Sequence, residues 1–279
     1  MENFREIPEN DLKIGFLQTN PAFGDKEQNF AQVEHLIGGD LVDILVLPEL
    51  FATGYTFISK DEVQEYAEDQ TGKTTNFLQN IAKSIDGVVI GGYPERQGKN
   101  IYNSAMMVDE DGVIENYRKI HLFNKEKLWF TPGNNPYPVV KLKKKDNVKV
   151  GMMICFDWIY PEATRTLAMK GADIIAHPTN LVLPYCQNAM ITRCISNRVF
   201  AITCNRVGEE KREGKFGRDE FLFTGQSQIT DVDGEILAHA PKEMADFCIV
   251  DINFKKARNK NLNDYNHLFE DRNENLYYH

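Results

Sequence analysis

The strongest constraint on the fold is an alternation of strand and helix patterns that occurs in each half of the 279-residue chain. Apolar runs short enough for strands alternate with stretches whose apolar residues recur at helical spacing, as is typical of α/β proteins. In the first half, the predicted strands lie at 13–19, 42–47 and 88–90, and the predicted helices at 26–37 and 74–85. In the second half, the predicted strands lie at 148–154, 173–176 and 200–204, and the predicted helices near 161–170 and 185–198.

A predicted hairpin follows at a matching place in each half. The turn D-E-D-G at 109–112 joins apolar runs at 104–108 and 113–115, and D-V-D-G at 231–234 joins 227–230 to 235–237. The repetition favours two similar α/β layers packed sheet against sheet, although similar hairpins also arise without duplication. Since no Pro/Gly/Ser-rich linker or shift in composition divides the chain, we expect one domain over residues 1–279.

The C-terminal segment, residues 252–279, has a different pattern from the rest. Its aromatic side chains lie among charged residues with too little periodicity for a core of their own; they are Tyr265, Phe269, Tyr277 and Tyr278. We expect this tail either to fray or to pack on a second subunit of a homodimer or larger homo-oligomer.

Charge and cysteine content exclude several classes of protein. A formal charge of −9 favours neither nucleic acid nor an acidic membrane as partner, and the short basic stretch 141–145 is interpreted as a solvated edge. The N-terminal residues 1–6 are polar, and no apolar run is long enough to span a bilayer. Five cysteines without a C-x-x-C pair argue against a disulfide framework and a zinc site. We therefore expect a reduced, cytoplasmic protein with a free thiol and no metal.

Three potentially reactive side chains lie beside apolar runs in separate parts of the sequence. Cys155 closes a buried-strand pattern at 148–154, Glu49 follows the run 44–48, and Lys119 lies within Y-R-K-I-H-L-F. Each alone has an ordinary explanation, as a core thiol, a cap or a surface charge. Burying a carboxylate and an ammonium is costly unless they meet. The joint pattern predicts that the three side chains converge in one site.

The segments that carry these residues resemble the nitrilase superfamily of carbon–nitrogen hydrolases. They are V-L-P-E-L-F-A-T-G-Y, Y-R-K-I-H-L-F and G-M-M-I-C-F-D-W-I-Y-P-E, in matching order within residues 13–251. The resemblance implies a four-layer α-β-β-α sandwich, catalytic Glu49, Lys119 and Cys155, and a second glutamate at Glu126. It also implies subunits that pair through helices beside the site.

Two details of the resemblance point to different subgroups. The segments C-F-D-W and H-P-x-N-L-V are similar to those of thermostable archaeal nitrilases. However, other nitrilases more often carry C-W-E, and the form C-F-D-W-I-Y-P-E is amidase-like. One departure is Ser196-Asn197, which replaces an acidic-Asn pair often seen in the family; we interpret it as a packing or dimer difference. We therefore expect hydrolysis of a small aliphatic amide, with nitrile hydrolysis as the alternative.

The residue types indicate how such a site would work. A cysteine of pKa about 8.5 needs a cationic neighbour and helix-start N–H groups to raise its thiolate fraction. Lys119 would supply that charge and, with the Phe156 N–H, hold the oxyanion. Glu49 would transfer protons and activate water, and Glu126 would orient the substrate and support Lys119. The expected pocket walls, besides Phe156, are Tyr55, Phe130, Trp158 and Asn180. No cofactor is required.

Two rival interpretations remain open at this point. A Cys-His hydrolase could use His121 or His177 as its base. His177 lies just past a predicted strand, but we interpret it as a hydrogen-bonded scaffold residue. Alternatively, a binding protein could have kept the sandwich and lost its chemistry, although none of the three reactive residues is missing.

Overall fold

The computed structural model describes residues 12–277. The N-terminal residues 1–6 and Tyr278 lie outside this range, so the expectations about them are untested. The strands are β1 Leu12–Gln18, β2 Ile44–Val46, β3 Val88–Gln97, β4 Asn100–Asp109, β5 Gly112–Arg118, β6 Val139–Leu142, β7 Val148–Met152, β8 Ile174–Pro178, β9 Phe200–Cys204, β10 Glu209–Gly214, β11 Gly217–Leu222, β12 Gln228–Thr230, β13 Ile236–His239 and β14 Asp246–Ile252. The helices are α1 Lys26–Ile37, α2 Lys60–Tyr66, α3 Lys73–Ser84, α4 Glu126–Trp129, α5 Pro161–Met169 and α6 Cys186–Asn197.

Within the described residues, the strands form two mixed six-stranded sheets and a separate hairpin, β10–β11. The first sheet has the order β14-β1-β2-β3-β4-β5, with β1, β2 and β3 parallel and the others antiparallel. The second sheet has the order β13-β12-β9-β8-β7-β6, with β7, β8 and β9 parallel. Each half therefore has three parallel strands, a hairpin and helical crossovers, which confirms the predicted α/β fold.

The two sheets pack face to face, and helices cover both outer surfaces. Along β2, Ile44 and Val46 point into the core between the sheets, and Leu45 points outward to the helices. Helices α1 and α3 cover the first sheet through side chains such as Phe30 and Phe77, whose rings stack 4.1 Å apart. Helices α5 and α6 contact the second sheet. Because parallel strands are buried on both faces, their sequences read as continuous apolar runs.

Several elements did not follow from the sequence patterns. The hairpin β10–β11 has a sequence dominated by charged residues, and the apolar alternation that marks a strand is absent from it. Helices α2 and α4 are short, and the edge strands β6 and β14 carry few fully buried residues. Part of the tail packs on its own chain, which neither expected outcome included: Phe254 is buried, and Lys260 Nζ donates to the carbonyls of Asn197 and Arg198 at 2.9 and 2.7 Å.

The topology brings the ends of several strands to one edge of the sandwich. Glu49 follows β2, Lys119 follows β5, Cys155 follows β7 and Asn180 follows β8. Carboxyl ends of parallel strands are where α/β proteins place their sites. Between residues 12 and 277, no helix has the length and apolar character needed to cross a membrane.

Candidate active site

A buried ammonium between two buried carboxylates forms the centre of the site. Lys119 Nζ lies 2.6 Å from Glu49 Oε1 and 2.8 Å from Glu126 Oε1. The side chains of Lys119 and Glu49 are inaccessible to solvent, and Glu126 is nearly so. Charges of this kind are buried at tolerable cost when they are paired and hydrogen-bonded. The predicted meeting of Glu49 and Lys119 is therefore present, and Glu126 joins them.

Glu49, in the loop after β2, is held through both its side chain and its backbone by residues of other segments. Asn103 Nδ2 donates to Glu49 Oε1 at 2.8 Å, and Asn180 Nδ2 donates to the Glu49 carbonyl at 2.8 Å. Gly92 on β3 permits this approach, because a Cβ there would lie 2.6 Å from the Glu49 Cα. Asn103 was missed by the sequence analysis, although a polar residue within the apolar run of β4 was a usable signal.

Cys155 lies at the sharp turn between β7 and a short 3₁₀ helix, Cys155–Ile159. Its φ of 42° is in the left-handed region, which residues other than glycine rarely adopt. Such turns present a nucleophile at the end of a strand, where it is exposed to substrate. The Asn180 backbone and the charges of Glu49, Lys119 and Glu126 all affect the pKa of the Cys155 thiol.

Asp157 holds this turn against the segment that carries Lys119. Its carboxylate accepts from the Tyr117 hydroxyl at 2.7 Å and from the Ile154 N–H at 3.0 Å, and it pairs with His121 Nδ1 at 2.7 Å. The Tyr137 hydroxyl also donates to it at 3.3 Å. The sequence places Asp157 in a motif but gives no sign of its role; in the structure it ties the Cys155 turn to the Lys119 segment.

Burial governs the protonation of the reactive groups. Burial and the charge of Glu49 raise the pKa of the Cys155 thiol well above its usual value, against the opposing effect of Lys119. Burial opposes the charge on Lys119, but Glu126 and Glu49 outweigh it and raise the lysine pKa. Burial also raises the pKa of Glu49, despite Lys119. These directions run against the expectation of an enhanced thiolate fraction, because burial and the carboxylates favour the protonated thiol, from which a base would take the proton.

Glu49 is placed to be that base. Among the residues that the structure describes, its Oε2 atom is buried and has no hydrogen-bond partner, while Oε1 accepts from Lys119 and Asn103. An unsatisfied buried acceptor is uncommon and calls for an explanation. A carboxylate oxygen left free beside a protonated thiol can accept the thiol proton as the sulfur attacks.

The predicted pocket residues line two small clefts. Phe156, Trp158 and Asn180 line a small cleft that contains Cys155. Tyr55 and Phe130 line a second small cleft with Glu126. The Tyr55 hydroxyl donates a hydrogen bond to Glu126 Oε1 at 2.7 Å. A single hydrogen bond therefore links Tyr55, on the wall of this cleft, to the carboxylate that pairs with Lys119. The residues expected to line one pocket therefore line two clefts, one that contains Cys155 and one that contains Glu126.

The histidine rival does not fit this geometry. His177 Nε2 lies 3.0 Å from the Cys155 carbonyl oxygen, and Nδ1 lies 3.2 Å from Thr203 Oγ1. Burial lowers the pKa of His177 to about 4, so the ring is neutral at pH 7 and bonds to backbone, as a scaffold residue does. His121 is occupied by Asp157 and stacks on Tyr160 at 3.8 Å.

We expect His177→Asn to retain turnover, with a loss of at most about tenfold, because one neutral hydrogen bond contributes about 1 kcal/mol. The wild-type free energy of unfolding should fall by up to about 3 kcal/mol between pH 6.5 and pH 4, since the unfolded chain then takes up a proton that the buried ring excludes. In urea unfolding at several pH values, the free energy of unfolding should fall less for the variant than for the wild type as the pH is lowered. Complete inactivation without unfolding would favour the Cys-His hydrolase.

Comparisons with known proteins agree with the fold and the motifs. The chain matches the carbon–nitrogen hydrolase family over residues 13–261. A nitrilase of Pyrococcus abyssi is 41% identical over 96% of this chain and 99% of its own, and an (R)-stereoselective amidase of Pseudomonas is 30% identical over 92% and 90%. A carbon–nitrogen hydrolase from Helicobacter pylori has the same fold, with a TM-score of 0.83 at 24% identity over 96% of this chain and 97% of its own. The chain therefore belongs to the nitrilase superfamily, and it is a hydrolase that acts on carbon–nitrogen bonds.

Proposed function

We propose that this hydrolase converts a small, uncharged aliphatic nitrile into the corresponding acid and ammonia. The contact of Lys119 with both Glu49 and Glu126, beside the Cys155 thiol, is the observation that carries the chemistry. The choice of a nitrile rests on the Pyrococcus relative, whose name is nitrilase and whose identity to this chain extends over nearly the whole of both sequences. This ranking reverses the sequence-based expectation, which placed amides first.

The first step is the attack of the thiol on the nitrile carbon. Glu49 accepts the Cys155 proton as the sulfur–carbon bond forms and one π bond of the nitrile breaks. The nitrile nitrogen develops negative charge, which Lys119 stabilises and which a proton transfer then neutralises, leaving a thioimidate. One such donor contributes roughly 3–4 kcal/mol to the transition state when it is preorganised and shielded from water.

Two water molecules complete the reaction. Water activated by Glu49 adds to the thioimidate carbon, and the carbon–nitrogen bond breaks to release ammonia and leave a thioester. A second water then cleaves the thioester to the acid and restores the thiol. At the tetrahedral stages, the Phe156 N–H and Lys119 hold the oxyanion. Glu126 keeps Lys119 in place through the 2.8 Å contact and orients the nitrogen that leaves.

An amide is the second candidate, and two observations favour it. The Pseudomonas relative acts, by its name, on amides, and the nucleophile segment has the form C-F-D-W-I-Y-P-E. The same residues serve both substrates, since an amide enters at the tetrahedral stage and loses ammonia directly to the thioester. The small volumes of the two clefts support a short aliphatic substrate in either case.

Ammonia release from matched panels of short mononitriles, dinitriles and amides tests this proposal. We expect turnover of nitriles with acid as product, and loss of turnover in Glu49→Gln because the thiol then lacks its base. Cys194→Ala removes a buried thiol outside the site and serves as the control. Turnover of amides without any action on nitriles would reverse the ranking, and turnover by Glu49→Gln at the wild-type rate would remove Glu49 from its role.

We also propose that residues 1–279 act as one domain within a homodimer or larger homo-oligomer, with part of the 252–279 tail against a partner. Exposed apolar side chains on the helices of the second sheet and at the chain end support this; they are Met169, Ile195, Leu276 and Tyr277. Sedimentation of the full chain tests the proposal, and a monomer at micromolar concentration would contradict it.

A further inference from the structure

A buried ion pair at the base of the hairpin β10–β11 has no part in the chemistry proposed above. Arg206 lies between β9 and β10, Glu210 lies on β10, and their side chains are 1% and 4% exposed. Arg206 Nη1 donates to Glu210 Oε1, and Nη2 donates to the Pro21 carbonyl at 3.0 Å. A buried ion pair often adds no more stability than apolar residues of the same size would. This contact, the hairpin ion pair, is therefore better explained by what it holds in place.

Glu210 also binds the backbone of the loop between β2 and α2. Its Oε2 atom accepts from the Thr56 N–H at 2.7 Å and from the Tyr55 N–H at 3.1 Å. Gly54 permits this approach, since its φ is 79° and a Cβ there would lie 2.8 Å from Glu210 Oε1. Hydrogen bonds to a charged acceptor are about twice as strong as neutral ones. The carboxylate that Arg206 compensates therefore fixes the backbone at Tyr55.

The ring of Tyr55 is held from the same side of the molecule. Phe221 and Phe223 each pack edge-on against it, with ring centroids 6.0 Å away. The guanidinium of Arg206 lies over the Phe223 ring, 4.1 Å from its centroid. Both the backbone and the ring of Tyr55 are thus positioned by groups that contact the hairpin ion pair or belong to the hairpin.

The hydroxyl of Tyr55 binds the carboxylate that holds Lys119. It donates to Glu126 Oε1 at 2.7 Å, and the same oxygen atom lies 2.8 Å from Lys119 Nζ. The other oxygen of Glu126 accepts from the Phe123 N–H at 3.1 Å. A donor stabilises a transition state only where it is held in advance at the position of the developing charge. Contacts thus extend without a break from the hairpin ion pair to Lys119.

We propose that Arg206 and Glu210 are positioning residues for the hydrolysis reaction. They act through Tyr55, whose hydroxyl holds Glu126, and Glu126 in turn holds Lys119. The inference rests on the proposed function, because there Lys119 stabilises the charge that develops on the substrate. Loss of the hairpin ion pair releases the backbone at Tyr55, so that its hydroxyl no longer restrains the carboxylate. The loss should appear in kcat and not in KM, as for any contact that matters only in the transition state.

A double-mutant cycle of Glu210→Gln and Tyr55→Phe tests these contacts. Each single substitution should lower kcat about 10- to 100-fold and change KM by less than about threefold, because a hydrogen bond to a charged group is lost or weakened. The double variant should be within about threefold of the slower single variant, since both substitutions remove the same restraint on Glu126. Steady-state ammonia release from the short nitrile or amide that the wild type hydrolyses fastest gives both constants.

Glu62→Gln is the matched control, because Glu62 of α2 links the same hairpin to the same loop. Its carboxylate pairs with Arg212 of β10 at 2.8 Å and accepts from the Ile58 N–H at 2.9 Å. It binds the loop at Ile58 and not at Tyr55, so kcat should equal that of the wild type. A loss in this control as large as in Glu210→Gln would mean that any loosening of the hairpin lowers activity, which would overturn the inference.

Alkylation of Cys155 by iodoacetamide, measured on its peptide by mass spectrometry, repeats the cycle without a substrate. Lys119 lowers the pKa of this thiol, so a less firmly held Lys119 should slow the alkylation in both single variants and no further in the double variant. If thermal unfolding shows that Glu210→Gln is unfolded, Arg206→Met combined with Glu210→Gln takes its place, because that chain has no unpaired buried charge.

Wild-type kcat in folded Glu210→Gln or Tyr55→Phe, or losses that multiply in the double variant, would overturn the inference. Failure of the wild-type chain to release ammonia from any neutral nitrile or amide would instead contradict the proposed function. The alkylation rates would then still decide whether the hairpin ion pair acts on the site through Tyr55.

Discussion

Cys155→Ala should lower the rate of ammonia release by at least about 10⁴-fold, the scale of loss seen when a catalytic nucleophile is removed. Without the sulfur there is no covalent intermediate, and Glu49 has no thiol from which to take a proton. Removing one buried thiol should leave the fold intact. The strain of the left-handed φ at this turn should be the same in the variant, because alanine, like cysteine, has a Cβ. Single-turnover and steady-state ammonia assays measure the effect.

Protection by substrate against a thiol reagent separates Cys155 from the other four cysteines. Burial raises the pKa of all five thiols, and Cys248 is less buried than Cys155, so the rate of labelling alone does not identify the reactive one. Substrate should protect Cys155 from the reagent, and Cys194→Ala should show normal activity and labelling. Full turnover by Cys155→Ala would remove the nucleophile from the proposed mechanism.

The pH dependence expected for Cys155 is harder to predict from the sequence than its proposed role as nucleophile. The lysine next to the thiol was visible as a motif, and it predicted a stabilised thiolate. The structure adds two carboxylates and burial, which raise the pKa of the thiol and so act against the effect of the lysine. The sum of these opposing effects depends on distances between segments far apart in the chain, so it required coordinates.

The regular elements were predictable because their residues are buried in a simple periodic way. The prediction of a helix at 26–37 matches α1, which ends at Gly38 in the αL conformation, a common helix ending. The hairpin β10–β11 was not predictable by the same means. Its strands cover a cleft and are held by ion pairs and edge-on aromatic contacts, none of which leaves an alternating apolar pattern.

The site shows a similar division between motif residues and their supports. Glu49, Lys119 and Cys155 were identified through the motifs, and the contact of Lys119 with both glutamates is as expected. The supporting residue Asn103 bonds to Glu49, 54 positions away in the sequence. Asp157 bonds both to a close neighbour, 3 positions away, and to Tyr117, 40 positions away. Such partners have no local signature beyond a polar residue in an apolar context.

Lys119→Met should lower both activity and stability, because Lys119 neutralises two buried carboxylates at once. Removing one partner from a buried charge pair typically costs about 3–5 kcal/mol, a large part of the net stability of a domain. In the variant, Glu49 loses the ammonium that favours its charged form, so burial favours its protonated form more strongly. The oxyanion also loses its donor, and ammonia release should become undetectable even where the protein folds.

The pH dependence distinguishes lost charge compensation from lost packing. A carboxyl whose pKa is higher in the folded than in the unfolded state contributes its full stability below the unfolded pKa of about 4.3 and loses it as pH rises. Burial already raises the pKa of Glu49 in the wild-type chain, and removal of Lys119 removes the main effect that opposes it. The difference in unfolding free energy between wild type and Lys119→Met should therefore widen from pH 4 to pH 7 in urea titrations.

Adding Glu49→Gln and Glu126→Gln should remove most of this widening and restore part of the stability without restoring activity. A pH-independent difference that the added substitutions leave unchanged would mean that Lys119 acts by packing, and the charge-paired centre would then not be what holds Glu49 and Glu126 in the core.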